Sequence, residues 1–120
     1  MGPAWLHRLT RSRQDLDAEE LRAGIDVHGA LPVSDCVVGE PAIVVGVLRS
    51  VTVRPRSGVP ALEAELFDGT GSVTIVWLGR RRIAGVEPGR WLRVEGRITR
   101  HGGATAMFNP RYTLRAAAES

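Results

Sequence analysis

A chain of 120 residues with 43% hydrophobic side chains and a formal net charge of +3 has room for one domain built on one core. No apolar run approaches the roughly 20 residues that cross a bilayer, and the N-terminus turns charged before any stretch of signal-peptide length. The single cysteine, Cys36, excludes a disulfide framework and has no cysteine partner for zinc, so these totals predict a cytoplasmic protein with a reduced thiol and no membrane contact.

All 16 basic side chains are arginines. Residues 1–35 carry four arginines against six acids, a net of −2; residues 36–115 carry twelve against six, a net of +6. A genome rich in G and C accounts for the choice of arginine over lysine, but not for this sorting of charge along the chain. Segregated positive charge favours a polyanionic partner, because neutralising phosphates releases their counterions.

In chain order, residues 1–37 read as an N-terminal segment. Its first nine residues are a flexible start in which Trp5 and Leu6 can dock, and a helix follows at about 12–24. Ser12 or Asp15 caps that helix, acids crowd its first turns, and Gly24 ends it. From Pro41 the hydrophobic period changes to two. Residues 42–53 form a long strand with Gly46 in its middle, where glycine marks a bulge or bend and lets one strand serve both halves of a curled sheet. Residues 54–60 are a loop. A hairpin follows, in which Leu62, Ala64 and Leu66 alternate with Glu63, Glu65 and Phe67. After the Asp68-Gly69 turn, Val73, Ile75 and Trp77 alternate with Ser72, Thr74 and Val76. A connector at 79–90 contains Arg80, Arg81 and Arg82. A fourth strand runs from Trp91 to about Arg100, and residues 101–103 turn the chain. A fifth strand at about 104–114 is interrupted at Asn109-Pro110, since proline cannot donate a ladder hydrogen bond. Residues 116–120 read as a disordered tail. The pattern predicts an all-β domain at 38–115, a five-stranded Greek-key OB-fold barrel with a short N-terminal α-helix, because closure removes exposed apolar edges.

The stretch from Leu62 to Arg82, the segment from Val86 to Gly103, and Phe108-Asn109-Pro110-Arg111-Tyr112 together resemble nucleic-acid-binding OB domains of the tRNA-anticodon-binding type. They are similar to the wedge domain of RecG-type helicases, and more so to stand-alone OB-fold proteins of actinobacteria. The marks that carry the resemblance are Asp68-Gly69-Thr70-Gly71, Trp77 before Gly79, Pro88-Gly89, Val94-Glu95-Gly96 and Asn109-Pro110-Arg111-Tyr112. The resemblance covers roughly residues 38–115. It implies binding to single-stranded or branched nucleic acid.

OB-folds bind along the outer face of their second and third strands, between the loops joining strands 1–2 and 4–5. Here the first loop offers Arg54 and Arg56, the second offers Arg100 and His101, and Arg80, Arg81 and Arg82 leave the third strand. Guanidinium groups stay charged and grip phosphate oxygens as a fork. Phe67 and Trp91 are candidate stacking platforms, with Arg93, Arg97 and Arg111 as further phosphate contacts. Trp77 shares the parity of Val73 and Ile75 and reads as core, while Phe108 and Tyr112 read as locks on the last strand. Glu63 and Glu65 stand against this site, because phosphates do not pass a carboxylate row. Either they pair with Arg49, Arg93 or Arg97, or the face takes a protein and nucleic acid touches only the arginine-rich loops.

No constellation for catalysis, cofactor or metal is legible. His7, His28 and His101 lie in three segments, Ser34-Asp35-Cys36 lacks a base, and Gly69-Thr70-Gly71 lacks the length and lysine of a phosphate-binding loop. The sequence thus predicts a non-catalytic nucleic-acid-binding protein, DNA or RNA, with little sequence preference. The alternative is a protein-interaction adaptor using the same face.

Overall fold

The computed structural model describes residues 29–115; the helix expected at 12–24 and the tail at 116–120 lie outside them. A 3-10 turn at Val33–Asp35 precedes seven strands: β1 (Pro41–Val53), β2 (Ala61–Phe67), β3 (Ser72–Leu78), β4 (Trp91–Arg97), β5 (Thr99–His101), β6 (Ala104–Phe108) and β7 (Arg111–Leu114). They form one sheet in the order β5-β6-β3-β2-β1-β4-β7. The described residues are all-β, as the alternation predicts.

The expected five-strand closed barrel is not what the ladder shows, because the order has two ends and two expected strands are each split. The fourth breaks at Ile98, whose amide donates to the Glu40 carbonyl and whose own carbonyl accepts from Gly39, so its backbone is committed outside the ladder. The fifth breaks at Asn109-Pro110. Asn109 adopts a φ of 50°, and Pro110 has no amide to donate. The Asn109 amide donates to the Val76 carbonyl, and its side-chain Oδ1 accepts from Leu78. Before the break β6 runs parallel to β3; after it β7 runs antiparallel to β4.

The long strand β1 is shared. Residues 41–47 pair with β4 and residues 47–53 with β2, so Val47 lies opposite both Trp91 and Phe67. Gly46 permits this crossing, since a Cβ there would sit 2.3 Å from the Phe67 carbonyl oxygen. The bulge itself falls elsewhere. The register shifts between Leu48 and Ser50, leaving Arg49 as the extra residue. An added residue reverses parity, so Val44 and Leu48 point into the core before it and Val51 packs there after it. Where β1 leaves β4, Leu48 exchanges backbone hydrogen bonds with Arg90 and Gly89 of the connector.

Leu48, Leu66, Ile75, Leu92, Ile98 and Met107 are fully buried and centre the core. Trp77 belongs to it at 4% exposure, with Tyr112 edge-on at 5.6 Å. Ile83 and Val86 anchor the connector in the same core and leave Arg80, Arg81 and Arg82 outside.

Asp68 is the one buried charged side chain among the described residues. Its Oδ1 accepts from the Thr70 amide (2.8 Å), the Thr70 hydroxyl (2.7 Å) and the Gly71 amide (3.1 Å), while Oδ2 accepts from Val33 (2.8 Å). One carboxylate therefore shapes the four-residue turn between Phe67 and Ser72 and ties the Val33–Asp35 turn to it. A buried carboxylate persists only when its lone pairs are filled in this way.

Two substitutions test these contacts by urea unfolding. Gly46→Ala is expected to cost about 2–3 kcal/mol, the scale of overpacking against backbone that cannot yield. Asp68→Ala strands four donors and is expected to cost about 3 kcal/mol or more.

Candidate functional site

The outer surface of the sheet has two faces of different chemistry, meeting at Val47. The first spans the second half of β1 with β2 and β3. Cross-strand register sets Ser50, Glu65 and Thr74 in one row and Thr52, Glu63 and Val76 in the next. Apart from the buried Val76, these residues, with Ser72 and Arg54, line a groove of about 320 Å³. Its lining holds four hydroxyls, two carboxylates and one arginine.

Glu63 is tied to both flanking loops. Its carboxylate lies 3.6 Å from Arg54 Nε and 3.8 Å from His101 Nε2. Arg56 Nη2 lies 3.2 Å from His101 Nδ1, and since a guanidinium can only donate, that ring nitrogen is the acceptor. The Arg56 guanidinium also covers the Phe108 ring at 5.1 Å, with His101 edge-on to the same ring at 5.9 Å. The pairing expected from sequence is thereby corrected. Glu63 lies beside Arg54 of the β1–β2 loop and His101 at the end of β5, because Arg93 and Arg97 project from β4 on the other face. Glu65 engages no hydrogen bond or ion pair among the described residues. Arg100 turns back onto its own hairpin, donating to the Gly103 carbonyl.

The second face spans the first half of β1 with β4 and β7. Leu92 and Val94 enter the core, which leaves Trp91, Arg93, Glu95 and Arg97 outward. Register places Val45, Arg93 and Thr113 in one row and Ile43, Glu95 and Arg111 in the next. Arg115 lays its guanidinium over Trp91 at 5.0 Å. The face thus holds four arginines, Arg93, Arg97, Arg111 and Arg115, against Glu95, a net of +3. Arg93 approaches Glu95 at 3.7 Å, and Arg97 donates to the Gly39 carbonyl.

Where the faces meet, Phe67 and Trp91 flank Val47. Arg49 sits 3.5 Å above the Phe67 ring, so both aromatics expected as platforms carry a guanidinium. The connector leaves β3 where Gly79 donates to the Pro60 carbonyl and Leu78 to Asn109, whose turn leads into Arg111. Arg80, Arg81 and Arg82 are exposed. Neither they nor Arg111 make a side-chain hydrogen bond or ion pair among the described residues.

The structure therefore gathers Trp91, Arg93, Arg97 and Arg111 on one face. It sets Arg54 and Arg56 around Glu63 and His101, and leaves Arg80–Arg82 as a separate exposed run. Sequence reasoning named Arg49 only as a partner for Glu63 or Glu65, not as the cover of Phe67, and missed Arg115. The alternation Arg111, Thr113, Arg115 carried a signal for the latter, whereas the bulge that brings Arg49 over Phe67 has none.

Among the described residues no cluster of three or more His, Cys, Asp or Glu side chains is arranged to hold a metal ion, and no helix is long and apolar enough to cross a membrane. The half-buried Cys36 thiol donates to the Pro32 carbonyl at 3.6 Å. Burial, then the charges of Asp68 and Asp35, push its pKa above the ordinary 9.0.

No family model matches this sequence, and no curated protein does. Among solved structures, the fold is similar to part of RecG bound to a three-way DNA junction, with a TM-score of 0.59 and 20% identity. The match covers 72% of this chain and 12% of that one, so the chain spans about an eighth of its structural neighbour. At that identity the likeness is one of fold.

The raised thiol predicts a pH dependence. The folded state holds the Cys36 proton more tightly than the unfolded state, so its contribution to stability is full below the unfolded value and declines as pH rises past about 9. Unfolding midpoints of the wild type and Cys36→Ala should converge or cross between neutral pH and pH above that value; parallel curves contradict it.

Proposed function

We propose that this protein binds nucleic acid, single-stranded or branched DNA or RNA, with little sequence preference and without catalysis. The observation that carries the reading is the second face, where four arginines and a partly exposed tryptophan oppose one glutamate. Arg93, Arg111 and the exposed Arg80–Arg82 run supply charge-assisted contacts to phosphates, with guanidinium forks matching paired oxygens. The Arg115 guanidinium over Trp91, and that of Arg49 over Phe67, supply flat surfaces on which a base stacks. Every base has such a face, so this mode tolerates any sequence.

The groove is a poor track for phosphates, because Glu63 and Glu65 line it. The binding surface is thus shifted from the face of β2 and β3, where the sequence placed it, to that of β4 and β7. The RecG neighbour bound to a DNA junction supports a nucleic-acid partner through its fold. We also read the sheet as an OB-type barrel whose fifth strand is split. The chain adjacency of β6, next to one end of the ladder, and β7, at the other end, supports this.

Titration with oligo-dT, followed by tryptophan fluorescence at several salt concentrations, tests the function. Binding should weaken steeply with salt. Arg93→Ala and Arg111→Ala should each reduce the slope of log K against log salt by about 0.7, the value per phosphate for single strands. Absent binding at low salt, or unchanged slopes in both variants, contradicts the proposal.

A further inference from the structure

The groove on β1, β2 and β3 is anionic within a basic protein. Its charged lining is Arg54 against Glu63 and Glu65, a net of −1, and Arg54 is already spent on Glu63. Glu65 is half-buried between Ser50 and Thr74 and has no partner among the described residues. A carboxylate in that setting discriminates sharply by charge, since the reduced dielectric strengthens attraction to a cation and repulsion of an anion.

We infer that this groove is a docking site for an arginine or lysine side chain presented by an extended segment of a partner protein, on a surface separate from the one assigned to nucleic acid. Three observations select this occupant. First, charge complementarity requires a cation. Second, the hydroxyls of Ser50, Thr52, Ser72 and Thr74 surround the carboxylates with acceptors, which suits the several donors of a guanidinium or ammonium group. Third, a volume of about 320 Å³ lies at the small end of ligand sites, enough for one or two side chains and too little for a helix. Arg54 shows the mode within the chain itself, its Nε 3.6 Å from Glu63. A neutral sugar fits less well, because no aromatic ring lines the groove and the neighbouring Phe67 and Phe108 rings are covered by Arg49 and Arg56.

The site does not depend on the nucleic-acid reading, and one set of titrations separates them. The probe is a blocked tetra-arginine peptide, with blocked tetra-glutamine and the neutral sugar maltohexaose as comparisons, measured calorimetrically on the full chain. The variants are Glu65→Gln, which keeps shape and removes charge, and Ser50→Lys, which places a cation opposite Glu65 from an exposed position; thermal melts verify folding. The expected result is tetra-arginine binding that weakens at least about tenfold in both variants, roughly 1.4 kcal/mol, with little tetra-glutamine binding and unchanged affinity for oligo-dT. Equal peptide affinity in wild type and both folded variants overturns the inference. So does maltohexaose binding that exceeds peptide binding, and so does loss of oligo-dT binding in Glu65→Gln.

Discussion

The carbonyl oxygen of Phe67 occupies the space where any side chain at position 46 would place its first carbon. Much of the architecture depends on that close approach. It lets β1 pass from pairing with β4 to pairing with β2 within one residue, and the bulge at Arg49 then turns alternate side chains to the opposite face. One strand thus builds two half-sheets over a common core. The same crossing divides the outer surface at Val47 into a face of hydroxyls and carboxylates and a face of arginines. The chemical separation of the two surfaces is therefore a consequence of backbone geometry.

Electrostatics reinforces the division. The guanidinium groups of Arg80–Arg82 and Arg111 have no ion-pair partner among the described residues, whereas Arg54 and Arg56 lie against Glu63, His101 and Phe108. An arginine beside an internal carboxylate, as Arg54 is beside Glu63 and Arg93 beside Glu95, contributes less to an external anion than one without such a neighbour, because each new contact is partly offset by the one it replaces. Counting arginines along the chain overstates the basic surface, and pairing in space identifies the part left without a neutralising neighbour. The Asp68 carboxylate is a case of the opposite kind. It is buried, fully bonded, and serves to hold a turn and the segment before β1.

Much of the sheet was legible in the sequence because its signals are local. Leu62, Ala64 and Leu66 announced a strand by period, Asp68 and Gly69 a turn, and Asn109-Pro110 a break. Trp77 was placed in the core by the company it kept with Val73 and Ile75, and the structure puts it there. The split at Ile98 was not legible, because it arises from Gly39 and Glu40, distant in sequence, capturing its backbone. At Gly46 the sequence left a bulge or a bend open; the structure has the close approach and shared strand there and the bulge at Arg49, which no local signal marks. The candidate site divided similarly. Trp91, Arg93 and Arg97 share a face by simple alternation, and Arg111 joins them only through the register of β7 on β4. The partners of Glu63 were misread because they depend on how two loops fold over the sheet.

The central claim is that nucleic acid follows the arginine face and avoids the carboxylate groove. Residue-by-residue mapping of backbone amide shifts on adding oligo-dT tests it most directly. The account predicts shifts concentrated at Trp91, Arg93, Arg111, Arg115 and the Arg80–Arg82 run, with Ser50, Glu65 and Thr74 unmoved. Shifts centred on Ser50, Glu65 and Thr74, with the β4 and β7 residues silent, would contradict it.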